Sequence, residues 1–136
     1  MILVGGENLI DMIQIGCQTR NGLFEANPGG SPYNLALAVG RQGEKVGYIT
    51  PISNDANGDL LAEKLRSSNV ELLGGRVSAQ TSLAVVTVSN GSPKYAFYRE
   101  QTADRLISMK ALNAHLNRYV SVFHIGSLAL VGGDDS

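Results

Sequence analysis

Three groups of residues in this chain have the types and spacing to do chemistry. The first is Gly29-Gly30, set directly before Ser31-Pro32-Tyr33-Asn34 and an Ala- and Leu-rich run. Paired glycines let a ligand approach the backbone closely. A helix N-terminus just beyond them offers free N–H groups and the positive end of a dipole. Asn34 adds an amide that both donates and accepts. Together they suit hydroxyls or an anion, but a plain tight turn with a good cap reads the same way. The second is Asp11, among Ile10, Met12 and Ile13. A carboxylate in that setting must find partners or bear a desolvation penalty. Its two oxygens can accept from two adjacent hydroxyls, the grip a vicinal diol needs; the alternative is a turn or surface-edge aspartate. The third is Tyr98-Arg99-Glu100, where Arg99 either clamps a carboxylate or hydroxyls or pairs with Glu100 in solvent.

Other chemistries find no foothold in the sequence. It contains no Gly-x-x-x-x-Gly-Lys-Ser/Thr phosphate loop, no Gly-x-Gly-x-x-Gly after its first strand and no Gly-x-Ser-x-Gly elbow. His115 and His124 lie apart with no nucleophile pattern, and neither is assigned a role. Cys17 is the single cysteine, so it is read as a free thiol in a reducing cytosol, with no metal-ligand spacing around it. The formal net charge is -1 with no block of like charge, which argues against a nucleic-acid or anionic-membrane partner. The start has no basic region, and no run reaches the ~18 apolar residues of a membrane helix. These features predict a soluble, cytoplasmic protein. At 136 residues the chain suits one domain with a real core, not comfortably two.

The elements that must position these residues follow from the hydrophobic pattern. Ile2 to Val4 and Leu9 to Ile15 are apolar runs of the kind buried in parallel sheets. Asn21-Gly22 and Asn27-Pro28 signal turns, with Leu23-Phe24 as a short strand between them. Ser31 is the expected N-cap of a helix with Pro32 at its first position, ended by Gly40 to Gly43. Val46 to Ile49 is the next strand, 54–58 a loop, and Asp59 to Ser68 a second helix. Strand, helix, strand, helix is the α/β pattern of a parallel sheet. Val70 to Leu73, Ser82 to Val88 and Lys94 to Arg99 then read as a separate antiparallel sheet, with an Asn90-Gly91 hairpin and Thr87 and Ser89 facing out. Met109 to Tyr119 is expected to be helical and Val120 to Ile125 a buried strand. So few parallel strands leave an edge bare, which predicts a truncated fold.

Gly29-Gly30-Ser31-Pro32-Tyr33-Asn34 with Gly43, Gly6-Glu7 with Asp11, and Ile52 to Gly58 resemble the ribokinase-like, or PfkB-type, sugar kinases. Ser53 and Asn54 depart from the family's Gly-Asp-Asp-x-x-Gly pattern. Tyr98-Arg99-Glu100 with Thr102-Ala103-Asp104, and Phe123 to Ser127, extend the match and favour the fructokinase branch, though ketodeoxygluconate kinases share much of it. The resemblance runs in order along essentially the whole chain. It implies the N-terminal portion of a three-layer α/β/α fold with a small β-sheet lid. Core segments would span about 1–10, 28–69 and 104–136, and lid strands about 11–27 and 70–100.

It also implies that Asp11, Gly29, Gly30 and Asn34 bind a sugar and that Arg99 reaches it from the lid. The full-length parent would move phosphate from ATP, with Mg²⁺, to a sugar hydroxyl. A homodimer through the lid sheet is implied as well. The family's Gly-Ala-Gly-Asp segment and ATP-binding part do not occur here, and Asp134 and Asp135 do not replace them. No cofactor is therefore expected on this chain alone, and the chain by itself is expected to be inactive. The other readings are a non-catalytic sugar-binding or interaction module and a degenerate remnant.

Overall fold

The computed structural model describes residues 1–15, 22–116 and 119–131. The expectations for Cys17, Asn21, Asp134 and Asp135 fall outside them.

Four strands form an all-parallel core sheet: β1 (Ile2–Gly5), β4 (Val46–Tyr48), β6 (Val70–Leu72) and β10 (Val122–Ile125), in the order β10-β1-β4-β6. Parallel neighbours need crossover connections. Helices α1 (Ser31–Arg41) and α2 (Ala56–Ser67) supply two of them and pack against each other and the sheet. Their apolar faces meet in one cluster that includes Val4, Tyr33, Leu37, Val46, Tyr48, Leu61, Leu65 and Val70. Tyr33 and Tyr48 meet edge to face at 6.1 Å, and each buried hydroxyl has an acceptor: Tyr33 donates to Leu61 O and Tyr48 to Gly6 O. Gly40 lets the helix approach closely, since a Cβ there would run into the Ser68 carbonyl.

A second sheet stands beside the core, in the order β3-β2-β8-β9, from β2 (Leu9–Ile15), β3 (Leu23–Gly29), β8 (Ser82–Ser89) and β9 (Ser92–Tyr98). It is mixed rather than antiparallel, because β2 and β8 run parallel from Leu9↔Ser82. The β8–β9 hairpin closes at Ser89↔Ser92, with Asn90 at φ 52 and Gly91 at φ 77. Positive φ at both central residues is what a type I′ turn requires, and Asn-Gly meets it.

Several expectations are corrected. Val70–Leu72 belongs to the core sheet, pairing with Val46–Tyr48, because α2 returns it beside β4 and buries Val70 in the cluster. The short β7 (Arg76–Val77) pairs with β5 (Ile52–Ser53), again outside the second sheet. Of the stretch 70–100, the second sheet takes in Ser82–Ser89 and Ser92–Tyr98. Asn27-Pro28 does not turn; both residues lie within β3. Pro28 is tolerated there because β3 is an edge strand and one of its sides needs no N–H donor. Polarity and burial do not alternate together at the end of β8: Val88 is exposed while Thr87 and Ser89 are half-buried.

Helix α2 starts at Ala56, earlier than expected, because the Asp55 side chain caps it by accepting from Gly58 N at 2.7 Å. Helix α3 covers only Met109–His115, capped by Ser108. A 3₁₀ turn at Ala103–Arg105 and the short α4 (Ser127–Val131) complete the described chain. Among the described residues no helix is long and apolar enough to cross a membrane.

Candidate functional site

Asp11 lies inside β2, opposite Asn27 on β3 and Ala84 on β8. Residues paired in register share a face, as do residues two apart on one strand. Leu9, Asp11, Gly29, Ser82 and Ala84 therefore lie on one face of the second sheet. The Asp11 carboxylate occupies the space a Cβ on Gly29 would need. It is half-buried, and burial pushes its carboxyl above the ordinary aspartate range. Among the described residues it has no hydrogen-bond partner. A partly desolvated carboxylate with unused acceptor oxygens is a group held ready for donors.

β3 ends at Gly29, so the second sheet hands the chain straight to α1 through Gly30. Gly30, not Ser31, is the N-cap, at φ 113 and with no side-chain cap bond. Only glycine adopts that conformation readily, and a Cβ there would sit 2.5 Å from the Glu7 carbonyl oxygen. The capping acceptor is remote: Ser31 N–H donates to Glu7 Oε1 at 3.2 Å. Glu7 is 4 % exposed, and its other oxygen has no partner among the described residues. Tyr48 and Thr50 hold the backbone at Gly6 and Glu7, while Asn8 Nδ2 donates to Pro51 O. This buried polar node fixes where β2 begins and thus where Asp11 points. Asn34, in the first turn of α1, donates its N–H to Gly30 O at 2.8 Å; its side chain is exposed and makes no hydrogen bond to a described residue.

Arg99 behaves differently from both alternatives read in the sequence. It pairs with Asp104, not Glu100: Nη2 and Nε lie 2.8 and 3.3 Å from Oδ2. The Asp104 side chain is fully buried, and its Oδ1 accepts from Ser82 Oγ at 2.5 Å and Thr102 Oγ1 at 2.8 Å. Ser82 places this cluster on the Asp11 face, two strands along, so about 10 Å separates the β2 and β9 backbones there. Asp11, Gly29 and Gly30 thus come together directly, Asn34 stands one helical turn away, and Arg99 approaches from the side with its charge already engaged. Glu7 and Asp104 were not singled out from spacing. For Asp104 the available signal was Thr102 and Arg99, two and five residues away; Glu7, whose partner is 24 residues on, carried none.

A cleft of about 420 Å³ lies nearby, lined by residues from both faces of the sheet that include Leu83, Phe97, Tyr98, Arg99 and Glu100. Leu83 and Tyr98 pair with each other on the face opposite Asp11. Arg99 lines this cleft, while Asp11, Gly30 and Asn34 do not. The unpartnered polar groups are the better guide to a ligand.

Comparison with known proteins places this arrangement. The profile of the "pfkB family carbohydrate kinase" matches residues 1–135. Probable fructokinase-2 of Arabidopsis thaliana is 36% identical over 138 aligned residues, covering 96% of this chain and 42% of the relative. The crystal structure of fructokinase from Xylella fastidiosa superposes with a TM-score of 0.82 at 32% identity, covering 91% of this chain and 41% of that one. The same enzyme with bound ATP gives a TM-score of 0.80 at 33% identity, covering 91% of this chain and 38% of that one. The chain therefore spans about two-fifths of the length of the relatives it matches. A parallel core sheet, a mixed lid sheet and a glycine turn opening α1 at their junction form the N-terminal portion of a ribokinase-like fold, and the chain belongs to the pfkB family of carbohydrate kinases.

Proposed function

We propose that this chain carries the sugar-binding portion of a fructokinase-like enzyme that transfers the γ-phosphate of ATP to a sugar hydroxyl. The observation that carries the reading is the unpartnered Asp11 carboxylate, half-buried against Gly29 beside the first turn of α1. Two carboxylate oxygens accept from adjacent hydroxyls, Gly30 leaves backbone open to the ring, and the Asn34 amide matches a further hydroxyl. The lid sheet carries Asp11 and Arg99 over the ligand, so its closure would exclude water and direct phosphate to sugar.

The nucleotide, with Mg²⁺, would supply the phosphoryl group. Among the described residues no group of three or more His, Cys, Asp and Glu could hold a metal ion. In this reading the chain's own contribution is to bind, orient and desolvate the sugar. Ile13, Ile15, Leu23, Val88, Tyr95 and Phe97 are exposed on the Asp11 face of the lid, which supports a homodimer through that sheet. A cytosolic location agrees with the sugar and nucleotide substrates.

The test is calorimetric titration of the chain with D-fructose. Binding that weakens at least tenfold in Asp11→Ala, with the thermal midpoint kept, is the expected result. Equal affinity in the two proteins would remove Asp11 from the site.

A further inference from the structure

We propose that Asp104 is a specificity-determining residue, which by neutralising Arg99 adapts the lid face to an uncharged sugar and against a sugar acid. The proposal rests on the reading of Asp11, Gly30 and Asn34 as the sugar site approached by Arg99. An arginine beside a sugar pocket invites a ligand carboxylate, because its planar fork matches one. Here one edge of that fork is already spent. Nε and Nη2 both serve Asp104 Oδ2, and the two side chains are 15% and 0% exposed. Ser82 and Thr102 saturate the other oxygen, so Asp104 is held from three directions and cannot swing aside for a ligand.

What remains on Arg99 is Nη1 and the second N–H of Nη2, with no hydrogen bond from them to a described residue. One neutralised N–H edge can donate to a hydroxyl, but it no longer offers a net positive charge. The surrounding charges point the same way. Asp11 faces the same space with no counter-ion among the described residues, and the buried Glu7 carboxylate accepts from the Ser31 N–H at the start of α1. Arg105, the other cation of this segment, donates to the Arg99 carbonyl oxygen. A sugar acid would bring its carboxylate toward Asp104 and Asp11, where like charges in a partly desolvated site repel strongly. Hydroxyls meet no such barrier.

The experiment follows the Arg99 Nε–H resonance, assigned with Arg99→Lys, while the isotope-labelled chain is titrated with D-fructose and with D-gluconate. In the wild type, fructose should shift it and gluconate should not at ten times the concentration. In Asp104→Asn, gluconate should gain a response, and the preference for fructose should fall at least tenfold. An unchanged preference in the variant, or equal responses in the wild type, overturns the proposal. If fructose fails to shift the wild type, the sugar-site reading has failed, and acetate decides the charge claim separately. A response at Arg99 gained only in Asp104→Asn upholds that claim, and no gain overturns it. If Asp104→Asn does not fold by circular dichroism, the wild type decides. A gluconate or acetate response there at Arg99 overturns the proposal, and its absence upholds it.

Discussion

Gly29→Ala isolates the carboxylate from the fold that holds it. The new Cβ would fall on Asp11 Oδ2, with the Leu9 side chain the next contact at 3.6 Å. The atom in the way is the far end of a half-exposed side chain, so Asp11 can rotate toward solvent rather than push the strands apart. Gly29 also lies outside the positive-φ region, so alanine fits its backbone. Replacing glycine at a compatible position stabilises by about 0.4–1 kcal/mol through the unfolded chain. An off-rotamer Asp11 returns about 0.5–1.5 kcal/mol of that. Net stability should therefore stay within about 1 kcal/mol of the wild type.

Sugar binding should not survive as well. A hydrogen bond to a charged group contributes about 1.5–3 kcal/mol. Losing one such contact weakens binding roughly 10- to 150-fold. Urea unfolding and calorimetry with D-fructose read the two quantities independently. Unchanged affinity at unchanged stability would show that the carboxylate does not need the space Gly29 provides. A stability loss above about 2 kcal/mol would show that Asp11 is locked in place, contrary to its lack of partners.

Gly30→Ala should do the reverse, because its φ of 113 excludes alanine and the Glu7 carbonyl blocks the Cβ. Strain of this kind costs about 1–3 kcal/mol before the clash is added, so a urea-unfolding loss under about 0.5 kcal/mol would contradict the observed turn. Asp55 makes a pH prediction. Burial pushes its carboxyl up, but the Thr81 hydroxyl and amide, Gly58 N and Ser53 outweigh it and hold the group below the ordinary aspartate range. A depressed carboxyl contributes stability above its unfolded pKa and loses it as pH falls through the folded one. Asp55→Ala should therefore cost about 1–2 kcal/mol at pH 7, and the gap from the wild type should shrink once pH drops below about 3.9. A gap that stays constant down to pH 2 would assign the loss to packing instead.

The parts of this fold that were legible from sequence are those decided by a residue's own backbone. Asn90-Gly91 announces two positive-φ positions, and the hairpin follows. Gly29-Gly30 announces open backbone before a helix, and α1 begins there. The parts that were not legible are decided by partners far along the chain. Ser31 is an apt cap by type, yet the acceptor is Glu7, 24 residues earlier, because β1 delivers that carboxylate to the helix start. Val70 to Leu72 has strand composition for either sheet; only the return path of α2 puts it beside β4.

Arg99 shows the same limit where function is concerned. Spacing offers it Glu100 and Asp104 equally. Burial chooses, since Asp104 loses water and must be satisfied while Glu100 stays exposed and needs nothing. That choice changes Arg99 from a free cation into half of a neutral pair. The chemical character of the lid is therefore set by a contact that no one-dimensional pattern contains. The carboxylate at Asp11, by contrast, keeps its charge unshared because no described residue is placed to donate to it, and a donor supplied by a ligand is what that placement leaves room for.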